Sequence, residues 1–144
     1  MSVEAILRHK GHEVTCVPPV TKVAEVAKTL FEHRIGAVLV RDAAGALLGI
    51  ISERDIVSAL SRDGAACLSM TAAQLMTRVV HTVSPATTPD QAMSIMTTNR
   101  VRHLPVLDHG TLVGMISIGD VVKARLDEQT TEVDSLKAYV AGSV

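Results

Sequence analysis

Two short stretches of the chain place a serine and an aspartate three residues apart, where an apolar run gives way to a helical pattern. They are Ser52 with Asp55 in Gly49–Val57 (GIISERDIV) and Ser117 with Asp120 in Gly114–Val122 (GMISIGDVV). Leu47 to Ile51 and Leu112 to Ile116 read as strands, so each serine stands where a strand feeds a helix N-terminus. Two kinds of chemistry fit this spacing. A serine N-cap with an acidic residue three positions later is nearly a capping box, in which each side chain satisfies the other residue's backbone N–H. The same helix end offers N–H groups and a hydroxyl to an anion, and an aspartate there can accept from both hydroxyls of a ribose. The two uses are compatible: serine can serve the helix or a phosphate while aspartate serves a sugar.

The elements that position these pairs occur twice. Gly45, Leu47, Gly49, Ile51, Ser52, Asp55 and Val57 recur 65 residues later as Gly110, Leu112, Gly114, Ile116, Ser117, Asp120 and Val122. Upstream, with one residue more in the first hairpin loop, Val17, Pro19, Thr21, Arg34, Val40 and Asp42 recur at an offset of 66 as Val83, Pro85, Thr87, Arg100, Val106 and Asp108. Each copy reads strand, helix, strand, strand, helix. In the first, the strand Val14 to Val17 precedes a helix from about Lys22 to His33 with Thr21 as its cap; Ala37 to Val40 and Ala46 to Ile51 form a hairpin, and a helix follows from Arg54 to about Arg62. In the second, Val79 to Val83 is the expected strand, and Thr88-Pro89-Asp90-Gln91 carries the cap, N1 proline and N3 amide that open a helix to Asn99. Leu104 to Leu107 and Leu112 to Ile116 repeat the hairpin. Arg34 and Arg100 end their helices, where a cation suits the dipole.

A short amphipathic helix, Val3 to His9, precedes the first copy and is expected on its edge; Gly11 stops it. After Asp120 an apolar stripe of Val122, Leu126, Val133, Leu136 and Val140 continues almost to the end. Thr130 and Thr131 lower helix propensity and mark where it would break. A stripe projecting past its own domain calls for a cover, and a second subunit is the simplest one. The divisions are therefore an N-terminal helical segment at 1–13, repeats at 14–70 and 71–126, and a C-terminal helical extension at 127–144.

Composition narrows the function. Fourteen Lys and Arg against fifteen Asp and Glu give a formal charge of −1, and Phe31 and Tyr139 are the only aromatics. Neither a basic field nor a stacking platform exists for nucleic acid. Cys16 and Cys67 lack metal spacing, as do His9 and His12, so the thiols read as reduced. No apolar run approaches the roughly 18 residues that span a bilayer, and the N-terminus is too charged for a signal peptide. The expectation is a cytoplasmic protein with no membrane partner.

The two terminal G-h-h-S-x-x-D motifs (h apolar), the Leu75-Met76-Thr77 linker and Arg102–Val106 (RHLPV) resemble the cystathionine-β-synthase (CBS) domain family over about Val14 to Leu126. The resemblance implies an α/β (α+β) fold of two βαββα CBS repeats, packed sheet to sheet with pseudo-twofold symmetry around two clefts, plus the terminal helical segments. It also implies an adenine-nucleotide-binding regulatory module without catalytic activity, homodimeric through the CBS pair, that signals to a separate regulated protein. AMP, ADP, ATP or NAD(H) fit as ligands, and S-adenosylmethionine less well. Under this reading Asp55 and Asp120 take the ribose, with Ser52 and Ser117 beside them. Arg102 and His103 face phosphate in the second copy; Gly36 and Ala37 are their equivalents in the first, which instead carries Arg54 where the second has Gly119. Aliphatic residues of the first strands and of Ile35 to Val38 would line an adenine slot. The alternative is a ligand-free structural module that dimerises as a scaffold through the C-terminal helix.

Overall fold

The computed structural model describes residues 1–142; Ser143 and Val144, at the end of the expected C-terminal extension, lie outside the described residues. In chain order the elements are α1 (Val3–Lys10), β1 (Cys16–Val17), α2 (Val23–His33), β2 (Ala37–Arg41), β3 (Leu47–Ser52) and α3 (Glu53–Asp63). A 3₁₀ segment (Gly64–Ser69) then leads to α4 (Ala72–Leu75), α5 (Pro89–Asn99), β4 (His103–Asp108), β5 (Thr111–Ser117) and α6 (Ile118–Gly142). The described residues form two compact units, one of residues 14–80 and one of residues 1–13 with 81–142.

In the 14–80 unit the fully buried run Ala37 to Val40 makes β2 the central strand, as a continuous apolar run requires. It pairs in parallel with β1, Cys16 opposite Leu39, and antiparallel with β3, Ala37 opposite Ser52. Val23, Val26 and Leu30 of α2 and Ile56 of α3 close the core over it. The other unit repeats the hairpin, with His103 opposite Ser117, and both hairpins carry an irregularity at matching places, after Val40 and after Val106. The strand expected over Val79 to Val83 does not form. Only Val83 bridges, in parallel, to Val106, while Val79 is 75% exposed. The chain passes from one unit to the other after Val80, so only the end of this run lies beside β4.

Helix α1 does not lie on the first repeat. It packs on β5 and α6, and Val3, Ile6 and Leu7 join the core of the second repeat. Two backbone bonds fix it there, Val3 N–H to the Thr87 carbonyl (2.8 Å) and Glu4 N–H to that of Pro85 (2.9 Å). In the 14–80 unit the same bonds come from α4: Ala72 N–H to Thr21 (2.7 Å) and Ala73 N–H to Pro19 (3.0 Å). Since Thr21 and Pro19 correspond to Thr87 and Pro85, α1 completes the second repeat as α4 completes the first.

The glycines of the two motifs accommodate these helices. A Cβ on Gly49 would lie 2.6 Å from Met76 Sδ and 2.8 Å from the Thr77 carbonyl, and one on Gly114 would lie 2.7 Å from Leu7 Cδ2. A methyl group at either place would force its neighbour out of the core.

Two further expectations are corrected. Lys22, not Thr21, is the N-cap of α2, and it makes no side-chain cap bond. The Thr21 carbonyl receives Ala72, and Val23 N–H donates to Met70 (2.9 Å), so the strand entering α4 satisfies the helix end. Helix α6 runs unbroken through Thr130 and Thr131, the Thr131 hydroxyl donating to the Asp127 carbonyl at 3.0 Å.

Candidate functional site

Each repeat brings its hairpin start and its last helix together at one point. Glu53 N–H donates to the Gly36 carbonyl (3.0 Å) and Ile118 N–H to that of Arg102 (2.8 Å), so the chain entering β2 or β4 lies against the helix that follows β3 or β5. The paired serine and aspartate sit at that junction in both units.

In the 14–80 unit Ser52 caps α3. Asp55 Oδ2 accepts from Ser52 N–H (2.8 Å) and from its hydroxyl (3.1 Å), while Asp55 N–H donates to Ser52 Oγ (3.3 Å). The box is complete, and it fixes the carboxylate at the positive end of the helix. Oδ1 faces the Thr77 hydroxyl at 3.4 Å. Gly36 and Ser52 are half-buried and Arg54 is exposed, with no ion pair among the described residues. Ala37 is fully buried, so it gives this place its backbone and no side chain.

In the second unit Asp120 Oδ2 accepts from Ser117 N–H (2.8 Å), and Asp120 N–H donates to Ser117 Oγ (3.2 Å). A cation is added here: Lys10, the last residue of α1, puts Nζ 2.7 Å from Oδ2 and also donates to the Met115 carbonyl (3.0 Å). Arg102 is exposed and His103 half-buried. A cavity of about 280 Å³ lies between α1 and α6 and is lined by His9, Lys10, Asp120 and Lys123 over Ile6 and Ala124. The larger groove of the 14–80 unit, about 800 Å³, runs between α2 and α3 past Phe31, Ile35 and Val57 and does not include Asp55.

Burial of Asp120 acts to raise its pKa, but the hydrogen bonds from Lys10 and Ser117 and the Lys10 charge together hold it below the ordinary 3.8. A carboxylate with a lowered pKa stabilises the fold fully above the unfolded value, and this contribution is lost as pH falls through the folded one. Lys10→Met is therefore expected to lose stability near neutral pH and to converge on the wild type as the pH drops below 3.8. Urea unfolding at stepped pH checks this; a gap that stays constant down to strong acid would deny the pair its role.

The CBS domain model matches residues 3–62 and 72–127, most of the chain. The chain belongs to the CBS domain family. Each match opens on the short helix that completes the other repeat, at Val3 for α1 and at Ala72 for α4. A crystal structure of a CBS-domain-containing protein from Agrobacterium tumefaciens is 48% identical, with a TM-score of 0.85 over 86% of this chain and 92% of that one. The CBS domain pair of protein MJ0100, solved in complex with 5′-methylthioadenosine and S-adenosyl-L-methionine, is 26% identical with a TM-score of 0.78 over 89% of this chain and 98% of that one. The CBS domain-containing protein CBSX3, mitochondrial, of Arabidopsis thaliana is 38% identical over 83% of this chain, which spans 60% of that protein's length. Tandem CBS architecture and the mixed α/β fold are thereby established.

The motif residues of this CBS pair thus cluster as two sets, Gly36, Ser52 and Asp55 in one unit and Arg102, His103, Ser117 and Asp120 in the other. Of the two residues that touch the aspartates, Thr77 lies in the Leu75-Met76-Thr77 linker, which suggested no site role, and Lys10 lies in no motif. Their signal is a weaker repeat: Ser2-Val3 with Leu7, and Thr71-Ala72 with Met76, share a cap followed by two apolar positions at equal spacing. Among the described residues no helix is long and apolar enough to cross a membrane, and no group of three His, Cys, Asp or Glu could hold a metal.

Proposed function

We propose that this CBS pair is a regulatory module, not an enzyme, that binds an adenine nucleotide at the helix ends carrying Asp55 and Asp120 and signals its occupancy to a partner protein. The observation that carries the reading is the carboxylate held by Ser52 or Ser117 at a helix N-terminus, once per repeat, beside the start of a hairpin strand. Such a carboxylate is ready to accept the two hydroxyls of a ribose without first being ordered. Both ligands of the MJ0100 pair are 5′-substituted adenosines, which supports adenine and ribose as the recognised part. Arg54 in the first turn of α3 and Arg102 before β4 are exposed cations; with His103 they favour AMP, ADP, ATP or NAD(H) over the sulfonium of S-adenosylmethionine. Signalling would follow from differential affinity, a partner preferring the occupied or the empty state.

The module works as a homodimer, for which the exposed Phe31, Val57 and Leu126 supply apolar surface. Free Cys16 and Cys67 fit a reducing compartment, and the cytoplasm is the proposed location. Thermal unfolding against AMP, ADP, ATP, NAD, NADH and S-adenosylmethionine tests the proposal. A ligand at 100 times its dissociation constant adds about 2.7 kcal/mol. No shift with any of the six would favour the scaffold reading instead.

A further inference from the structure

Helix α6 carries two apolar stripes. Val121 and Ala124 are buried in its own unit against α5 and α1. The second stripe is Val122, Leu126, Val133 and Leu136, exposed at 42%, 57%, 50% and 63%. At 100° per residue it lies roughly 135° around the helix from the first, facing away from the unit. Arg125, ion-paired to Asp90 (3.0 Å) and Glu128 (2.9 Å), and Glu128, paired to the Met1 amino group (3.3 Å), are the last tethers. From Gln129 to Gly142 every residue is exposed, over a length of about 20 Å.

The spacing of the outer stripe is specific. Val122, Leu126, Gln129, Val133, Leu136 and Val140 alternate steps of four and three, the 3.5-residue repeat of a coiled coil over almost three heptads. Leu126, Val133 and Val140 then occupy a positions and Val122, Gln129 and Leu136 d positions. Val133 at a with Leu136 at d is the combination that favours two parallel strands, while the first turn carries Val122 at d and Leu126 at a. The charges agree. In a parallel pair Glu132 at g faces Lys137 at e of the other helix, and Gln129 meets its own copy. A fully overlapped antiparallel pair would set Glu132 against Glu132, Lys123 against Lys137, and Gln129 against Val133.

We propose that the outer face of α6 binds the α6 of a second copy of this chain as a parallel two-stranded coiled coil. This deepens the homodimer reading by naming its surface, and it does not depend on nucleotide binding. Three heptads are short for an isolated coiled coil, so Gln129 acts more on register than on strength.

Sedimentation equilibrium of the full chain tests the surface. Val133→Glu with Leu136→Glu is expected to raise the dimer dissociation constant at least ~100-fold while the melting of the monomer unit is kept, because both residues are solvent-exposed. Glu132→Lys is expected to weaken the dimer several-fold, and adding Lys137→Glu to restore it. In a Cys16→Ser background, Gln129→Cys is expected to form a disulfide-linked dimer on mild oxidation. A monomeric wild type would overturn both the coiled coil and the homodimer. A dimer unmoved by Val133→Glu with Leu136→Glu would overturn the coiled coil alone and leave the homodimer standing. Failure of Gln129→Cys to cross-link, or of the charge swap to restore, would overturn the parallel orientation.

Discussion

Leu7→Ala is expected to destabilise the protein by about 2–5 kcal/mol, a core-sized effect from a residue seven positions into the chain. Leu7 is 1% exposed and shares its cluster with Met96, Leu104, Val106 and Ile116, all from the second repeat. Truncating it leaves a cavity over the β5 backbone at Gly114, where no side chain exists to fill the space. The two backbone bonds from Val3 and Glu4 hold α1 in place, so the hole cannot close by moving the helix. Leu7→Met should cost under about 1.5 kcal/mol, since volume is nearly kept. Methionine is also the residue that lies over the corresponding glycine in the other unit, Met76 over Gly49. Urea unfolding of the full chain decides the matter: a loss below about 1 kcal/mol for Leu7→Ala would mean that α1 rests on the repeat without belonging to its core.

That place for α1 is also where reading the chain in order falls short. The helical spacing of Val3, Ile6 and Leu7 identifies an apolar face, and Gly11 its end, because both are local properties. Which sheet covers the face depends on a contact made more than 70 residues away, and proximity in sequence points to the wrong repeat. The strand expected at Val79 to Val83 fails for a related reason: β-branched residues supply propensity, but a ladder needs a neighbour. Features with local causes come through. The Thr88–Gln91 box and the Ser52–Asp55 box lie where their residue types place them, and Arg34 and Arg100 end their helices as expected, although their left-handed backbone, φ 54° at both, is not something an arginine announces. Of the candidate site, the serines and aspartates are legible because they sit in the repeat itself. The contacts of Lys10 and Thr77 with them are not, since each arrives from the segment that completes a unit.

The asymmetry between Lys10 and Thr77 sets the second expectation, that the two aspartates contribute unequally to nucleotide binding. Asp55→Ala is expected to weaken binding at the first repeat by about tenfold to 100-fold, the loss of charge-assisted hydrogen bonds worth about 1.5–3 kcal/mol. A ribose hydroxyl at Oδ1 there competes with a Thr77 contact of 3.4 Å, Oδ2 being held by Ser52. At Asp120 it meets a carboxylate whose charge is already partly neutralised by an ammonium 2.7 Å from Oδ2, which makes it the weaker acceptor. Asp120→Ala should therefore weaken binding less, and Lys10→Ala should strengthen the binding of adenosine, which has no phosphate to engage the lysine. For AMP the gain should shrink or reverse, because a displaced Lys10 can turn to the phosphate. Both variants also lose the box bond to the cap residue, about 1 kcal/mol of stability, so affinity has to be read by calorimetry below the melting transition. Unchanged affinity in Asp55→Ala, Asp120→Ala and the double variant would take the ribose role from both residues and leave the boxes as helix caps alone. An Asp120→Ala loss as large as that of Asp55→Ala would instead mean that Lys10 yields without cost, which an ion pair on a half-buried carboxylate should not do.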